Sequence, residues 1–234
     1  MTATERFLVV NADDLGASEG INAGIVRAHR DGIVTSASLM VKQPSAGEAA
    51  ILTRDLGIGL GLHIDLAEWE PRDGVLQEIY RRVDLEDATA VVAEIDDQID
   101  TFVQLVGRPP DHLDSHQHVH LTGVTKEASL AAARRLGVPL RRLGRVALCD
   151  GFYGQQANFE PYAEGISLEN LLRLLDGLPA GWNELMCHPG FAYDIRSVYG
   201  PERETELETL CRPELREALS ERGILLRNFS QLSS

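Results

Sequence analysis

Lysine is nearly missing from this chain: Lys42 and Lys126 are the only two in 234 residues, and 36 acidic side chains outweigh 22 basic ones for a net charge of −14. Nucleic acid and anionic membrane surfaces are repelled by that sign, which excludes both as main partners. Long apolar runs are also missing. Nothing approaches the ~20 residues of a membrane span, and the opening MTATERFLVV lacks signal-peptide organisation. The three cysteines, Cys149, Cys187 and Cys211, are odd in number and without CxxC spacing. They imply reduced thiols and a cytoplasmic setting, not a disulfide framework. No GxGxxG follows the first apolar run, which argues against a nucleotide-binding Rossmann domain. The arginine-dense LRRLGR at 140–145 is short, and reads as a solvated face or a set of internal ion pairs. What remains is 44% apolar, without internal repeat or linker, and long enough for one substantial domain over residues 1–234.

Against this background the titratable residues stand out by position. Asp13 and Asp14 end the apolar run of FLVVNADDLG, and Gly16 follows. Neighbouring side chains of a regular strand point to opposite faces, but a backbone that turns at the strand end lets both carboxylates reach one site. Four of seven histidines fall in DHLDSHQHVH. Asp114, His116, His118 and His120 share parity, so an extended backbone presents all four on one face; in a helix His116 and His120 still share one at i, i+4. Such density points to a metal or catalytic site. His63 in GIGLGLHIDL and His188 in NELMCHPG end two further strand-like runs. Each alone reads as a core histidine bonded to a carbonyl. Together they put the chemistry at strand C-termini, where parallel α/β folds keep their active sites.

Strand and helix patterns alternate along the chain. Helices are predicted from Glu19 to a stop at Gly32, from a Ser45/Glu48 capping box through Leu56, and from Asp84 to Val106. Further ones are predicted over Val124–Leu136, Ser167–Leu178 and roughly Glu202–Glu221. The third carries an apolar stripe of Val91, Val92, Ile95, Ile99, Phe102, Val103 and Val106. Seven strands with outer helices predict an α/β fold with a mainly parallel sheet, closed or nearly closed into a barrel. Two stretches read as irregular: 67–83, with Trp69 and Tyr80, and 146–166, with Phe152, Tyr153, Phe159 and Tyr162. Their aromatics either stack on a sugar ring or pin the loops down.

NADDLG with SEG, TSASLMV, GLHIDL, HLDSHQHVH and ELMCHPG, in this order, resemble the YdjC-like carbohydrate deacetylases, the group that includes deacetylases of chitin-derived oligosaccharides. The resemblance runs from about residue 7 to 230; Arg203 and GILLRNF also match the family tail. Leu15 stands where many relatives have Phe, and the segment between His63 and the long helix is short. The resemblance implies a distorted, TIM-like (β/α) barrel, a homodimer, and hydrolysis of an N-acetylated amino sugar with one divalent metal, Mg2+ or Zn2+, with Mn2+ or Co2+ as further possibilities. It assigns Asp14, His63 and His116 as ligands, Asp13 as general base and His188 as a catalytic acid or substrate contact. Two imidazoles and a carboxylate leave open positions on a cation, as catalytic sites do. On this reading Asp13 takes a proton from the attacking water and His188, as imidazolium, protonates the departing amine. Asp114, His118 and His120 orient the ligands by hydrogen bonds, and Trp69, Tyr153 and Arg203 contact substrate. The alternatives are a metal-dependent phosphoesterase, which commonly needs more than one ion, and a non-catalytic metal- or sugar-binding protein, which needs no base.

Overall fold

In the computed structural model, residues 5–72 and 75–232 are described. The chain begins with β1 (Arg6–Leu15), α1 (Glu19–Arg30), β2 (Ser36–Leu39), α2 (Ala46–Thr53) and β3 (Gly59–Ile64). A hairpin of β4 (Ala67–Arg72) and β5 (Val75–Arg81) precedes the long α3 (Ala88–Val106). Then come β6 (Leu113–Ser115), a 3-10 turn at His116–Leu121, α4 (Gly123–Leu136), β7 (Ala147–Leu148) and α5 (Leu168–Asp176). The last elements are β8 (Gly181–Cys187), α6 (Gly200–Leu210), α7 (Pro213–Glu221) and β9 (Ile224–Leu226).

Seven strands form one parallel sheet in the order β6-β3-β2-β1-β8-β7, with β9 paired to the start of β1. The sheet curls into a half-barrel, and this is the mainly parallel α/β architecture that the alternation predicts. β1 is its axis: Arg6 to Ala12 pair in register with Gly181 to Cys187 of β8, and the other edge is shared by β9 and β2. Nearly all of β1 is buried, as a strand covered on both faces must be. One buried cluster runs from Leu8 to Ile224 through strands and helices alike. In α3 the inward residues are Val91, Ile95, Gln98, Ile99 and Phe102, spaced by three and four. Full burial of a side chain such as Phe102 stabilises by about 1.5–3 kcal/mol.

Several expectations are corrected. Residues 67–72 and 75–81 are not irregular: β4 and β5 pair antiparallel from Ala67↔Arg81 to Arg72↔Val75. The Ser45/Glu48 capping box does not form; Ser45 makes no side-chain cap, and Glu48 accepts instead from Asn22 Nδ2 at 2.9 Å. α3 starts at Ala88, because Asp87 caps it by accepting from the amides of Thr89 and Ala90. Val92 and Val103 are exposed, so the apolar stripe is narrower than expected. The last helical region is two helices, broken at Cys211–Arg212 ahead of Pro213, which begins α7 at N1. The histidine-rich run is not extended throughout. β6 ends at Ser115, and Gln117 (φ 50°) and His118 (φ 56°) turn the chain left-handed. The alternation that would put Asp114, His116, His118 and His120 on one face is therefore broken after Ser115. Among the described residues the three cysteines are unpaired, and no helix is long and apolar enough to cross a membrane.

Candidate active site

The two carboxylates of β1 converge because the strand is bulged. Asn11 and Ala12 pair with Ser36 and Ala37, but Leu15 pairs with Leu39, so β1 spends one residue more than β2 over the same interval. The strain sits on Asp14, whose φ of 68° is left-handed and rarely adopted by a residue with a Cβ. The neighbouring side chains thereby escape the alternation of a regular strand.

Asp14 Oδ1 lies 3.4 Å from His63 Nε2 and 3.1 Å from His116 Nδ1. His63 comes from the C-terminal end of β3, and His116 follows β6. His63 Nδ1 donates to Asp114 Oδ1 at 2.8 Å, which orients the ring so that Nε2 is the atom facing Asp14. The other oxygen of Asp14 is held by Arg203 Nη2 at 2.5 Å. Tetrahedral ligands with ~2.0–2.1 Å bonds are about 3.3–3.4 Å apart, close to these separations. Asp14, His63 and His116 therefore fit a divalent cation. The electrostatics agree. Burial opposes charge on Asp14, yet Arg203 and the hydrogen bonds from His116 and His63 prevail and hold it well below the usual carboxylate range. Burial likewise opposes charge on the imidazoles, but Asp114 first among its partners raises His63 well above its ordinary value. Hydrogen bonding to Asp14 and Glu68 lifts His116 to about 9. A field that stabilises imidazolium also favours a metal cation.

Asp13 has a different environment. Its Oδ1 accepts from Arg141 Nη1 at 2.6 Å and from Asn11 Nδ2 at 2.8 Å. Oδ2 faces His188 Nε2 at 4.0 Å. Burial and the nearby Asp114 raise its pKa, but Arg141, joined by His63 and His188, prevails and holds it below the usual carboxylate value, so the carboxyl stays ionised. Arg141 also bonds Asp114 Oδ2, and its Nε donates to Glu184 Oε1 at 2.6 Å. A second three-donor group, Asp13, His63 and Asp114, is thus already occupied by a guanidinium.

His188 follows β8, and a close helix contact holds its turn. A Cβ on Gly24 of α1 would come within 2.5 Å of Gly190 Cα. The His188 ring meets Tyr153 and Tyr199 edge-on, at 5.7 and 5.5 Å between centroids. Burial pushes its pKa down to about 4, so the resting ring is neutral at neutral pH and not the imidazolium expected.

These groups floor a cavity of about 670 Å³ whose walls include Trp69, Tyr153, Phe159 and Tyr199. The hairpin supplies Trp69, and Gln117 pins it: its amide donates to Trp69 O at 2.7 Å, and its Oε1 accepts from Trp69 N at 3.0 Å. Arg203, expected to contact substrate, lines the cavity and also holds Asp14. His120 hydrogen-bonds Ser115 Oγ and Arg141 O, and holds the backbone, not the ligands. His118 makes no hydrogen bond to Asp14, His63 or His116; burial lowers its pKa to about 4.

Three contributors escaped the sequence reading. Arg141 was hidden in LRRLGR, and is aimed inward because Leu113 N and O pair with Pro139 O and Arg141 N beside β6. Glu206 lies in an acid-rich helix, but Arg203, Glu206, Leu207 and Leu210 recur at i, i+3, i+4 and i+7, the spacing of an inward face, and all four are buried. Ser38 donates to Asp114 Oδ2 at 2.8 Å and lies 3.1 Å from His112 Nε2, while His112 Nδ1 donates to Asp111. This Ser-His-Asp series is no nucleophilic triad: Ser38 is fully buried and braces Asp114.

The family model described as YdjC-like protein matches residues 7–221. A chitooligosaccharide deacetylase of Serratia marcescens is 35% identical, the alignment covering 97% of this chain and 100% of the relative. A crystal structure from Enterococcus faecalis V583, provisionally described as a cellobiose-phosphate cleavage protein, superposes with a TM-score of 0.76 at 27% identity, over 99% of this chain and 100% of that one. A family 4 carbohydrate esterase from Streptomyces lividans, in complex with acetate, shares the fold with a TM-score of 0.56 at 13% identity, over 96% and 93% of the two chains.

Proposed function

This chain belongs to the YdjC-like family, and from that premise we propose that it is a carbohydrate deacetylase, a metal-dependent hydrolase that removes the N-acetyl group of an amino sugar to release acetate and a free amine. The observation that carries this reading is the convergence of Asp14 Oδ1, His63 Nε2 and His116 Nδ1 beside the unpaired Oδ2 of Asp13 and Nε2 of His188, all on the floor of one cavity. The Serratia relative's name points the same way.

Asp14, His63 and His116 hold the ion; an N2O donor set suits Zn2+, Mn2+ or Co2+, while Mg2+ prefers more oxygen. When bound, a divalent ion supplies Lewis-acid polarisation of the amide carbonyl and a lowered pKa for water. Asp13 accepts the proton of the attacking water at Oδ2, since Arg141 and Asn11 occupy Oδ1. Arg141 keeps this base ionised without blocking it. His188 delivers a proton from Nε2 to the departing amine, and Tyr153 and Tyr199 fix the plane of its ring. General acid–base assistance of this kind contributes about 10²–10⁴-fold for each group. Trp69 and Tyr153 offer ring faces and edges to the sugar. A phosphoesterase with two or more ions is disfavoured, because Arg141 fills the second acidic group. A non-catalytic binder is disfavoured by Asp13 and His188, which binding does not require. The chain works as a cytoplasmic homodimer on this reading.

The deciding experiment is acetate release from N-acetylglucosamine oligosaccharides and other N-acetylated amino sugars, with metal supplied and then chelated. Chelator-sensitive acetate release is the expected result. Phosphate release from sugar phosphates by the metal-loaded protein, with no acetate from any N-acetyl sugar, overturns it.

A further inference from the structure

Behind His188, on the side away from the cavity, lies a carboxyl group that the mechanism above leaves unused. Glu206 of α6 is fully buried. Its Oε2 accepts from the backbone N–H of His188 at 2.5 Å, and its Oε1 lies 2.5 Å from the Tyr199 hydroxyl. Tyr199 in turn accepts from Gly154 N at 2.7 Å, so its own proton is directed to Glu206. His188 Nδ1 is buried with no hydrogen-bond partner and lies 4.0 Å from Glu206 Oε1. Its Nε2 is the same 4.0 Å from Asp13 Oδ2. One imidazole thus stands between two buried carboxyl groups, each about 1 Å beyond hydrogen-bond reach. Catalytic hydrogen bonds are often this long in free proteins and tighten when substrate binds.

We propose that Glu206 is the proton reservoir behind His188, and that the imidazole passes one proton between Glu206 and Asp13 in each turnover. The proposal rests on His188 as the proton donor of the preceding reading. Its bookkeeping closes. Asp13 takes one proton of the attacking water, and the remaining hydroxyl bonds to the carbonyl carbon. As the C–N bond breaks, Nε2 gives its proton to the amine nitrogen while Nδ1 takes the proton of the Glu206 carboxyl, leaving a glutamate and a neutral ring of the other tautomer. After the products leave, the Asp13 proton passes to Nε2 and the Nδ1 proton returns to Glu206. Acetic acid and amine leave, and every enzyme group is restored.

Charge in the resting pair agrees with this direction. Burial pushes Glu206 up to about 7, although Tyr199 and the His188 amide oppose it, and burial pushes His188 down to about 4. A proton shared by the two therefore rests on the carboxyl. The groups facing Glu206 are Tyr199, His188, Tyr153, Cys187, Asp13 and, on its own helix, Arg203. None is a strong neighbouring base that would strip the carboxyl before His188 does.

The experiment compares Glu206→Gln with wild type as full-length, metal-loaded protein. Gln preserves shape and hydrogen bonding but stores no transferable proton. The expected result is kcat reduced about 10–100-fold with KM and metal content unchanged, and an alkaline limb of the kcat profile moved to lower pH, because His188 must then draw its proton from solvent. Tyr199→Phe removes a hydrogen bond that favours the ionised carboxyl, so its limb should move the opposite way. It also serves if Glu206→Gln does not fold. Infrared difference spectra should show a buried protonated carboxyl near pH 6 that Glu206→Gln lacks, a readout independent of turnover. A folded Glu206→Gln enzyme with wild-type kcat and pH profile overturns the reservoir. A fully active His188→Asn enzyme overturns the assignment of the acid instead, so the two failures are told apart.

Discussion

Arg141 Nη1 lies 2.6 Å from Asp13 Oδ1, 128 positions away along the chain, and the same guanidinium also pairs with Asp114 and Glu184. One buried cation therefore neutralises the base, the carboxylate that orients His63, and a strand carboxylate beneath them. Arg141→Met leaves three buried carboxylates without it, and should destabilise the fold by about 3–5 kcal/mol. Asp13 and Asp114 are depressed in the fold, so their stabilising contribution is present above the unfolded carboxylate range and lost as pH falls through their folded values. Without Arg141 those values rise, and the deficit should shrink from pH 7.5 to pH 5. Urea melts at the two pH values test this; an equal loss at both contradicts it.

Asp13 and Asp14 are adjacent and chemically alike, yet their surroundings separate them. Asp14→Asn should lower metal occupancy together with activity, since Oδ1 is a ligand atom. Asp13→Asn should keep the metal and lose about 10²–10⁴-fold in kcat. Metal analysis beside steady-state kinetics decides, and an active Asp13→Asn enzyme removes it as the base.

Metal binding should expel protons at pH 7. The His116 ring, raised to about 9, carries a proton there, and Nδ1 must lose it to become a ligand. Affinity should therefore climb between pH 7 and pH 9. Calorimetric titration of Zn2+ in buffers of different ionisation enthalpy measures the release directly, and no dependence on buffer would remove His116 from the ligand set.

Asp114 and His120 should part company although both sit in the same motif. Asp114→Asn weakens the hold on His63 and should cost about 10–100-fold in metal affinity. His120→Ala breaks two bonds to Ser115 and Arg141 O, so it should lower stability by about 1–3 kcal/mol while the metal stays bound. Equilibrium dialysis paired with thermal melts separates the outcomes.

Gly24→Ala probes the turn that carries His188. The new methyl would meet Gly190 Cα at 2.5 Å, so backbone must move. About 1–3 kcal/mol of stability should be lost, with kcat falling and metal content preserved. A variant as stable and as active as wild type would show that the contact relaxes freely.

Local chemistry was enough to mark the strand ends. Apolar runs stopped by Asp13 and Asp14, His63, and Pro189–Gly190 after His188 are visible in the chain because a strand buried on both faces admits polar side chains only where it ends. β-α alternation likewise implied the parallel sheet, since parallel neighbours require a crossover. Tertiary structure alone decided the rest. The bulge that turns Asp14 left-handed depends on the pairing of β1 with β2, and a pairing register is a relation between distant segments. The inward aim of Arg141 depends on Leu113 meeting residues 139–141, and nothing within LRRLGR separates that ion pair from a solvated face. Glu206 needed both its helix and the packing of that helix on His188. A charge inside the core is legible only through its partners, and those partners are brought together by the fold.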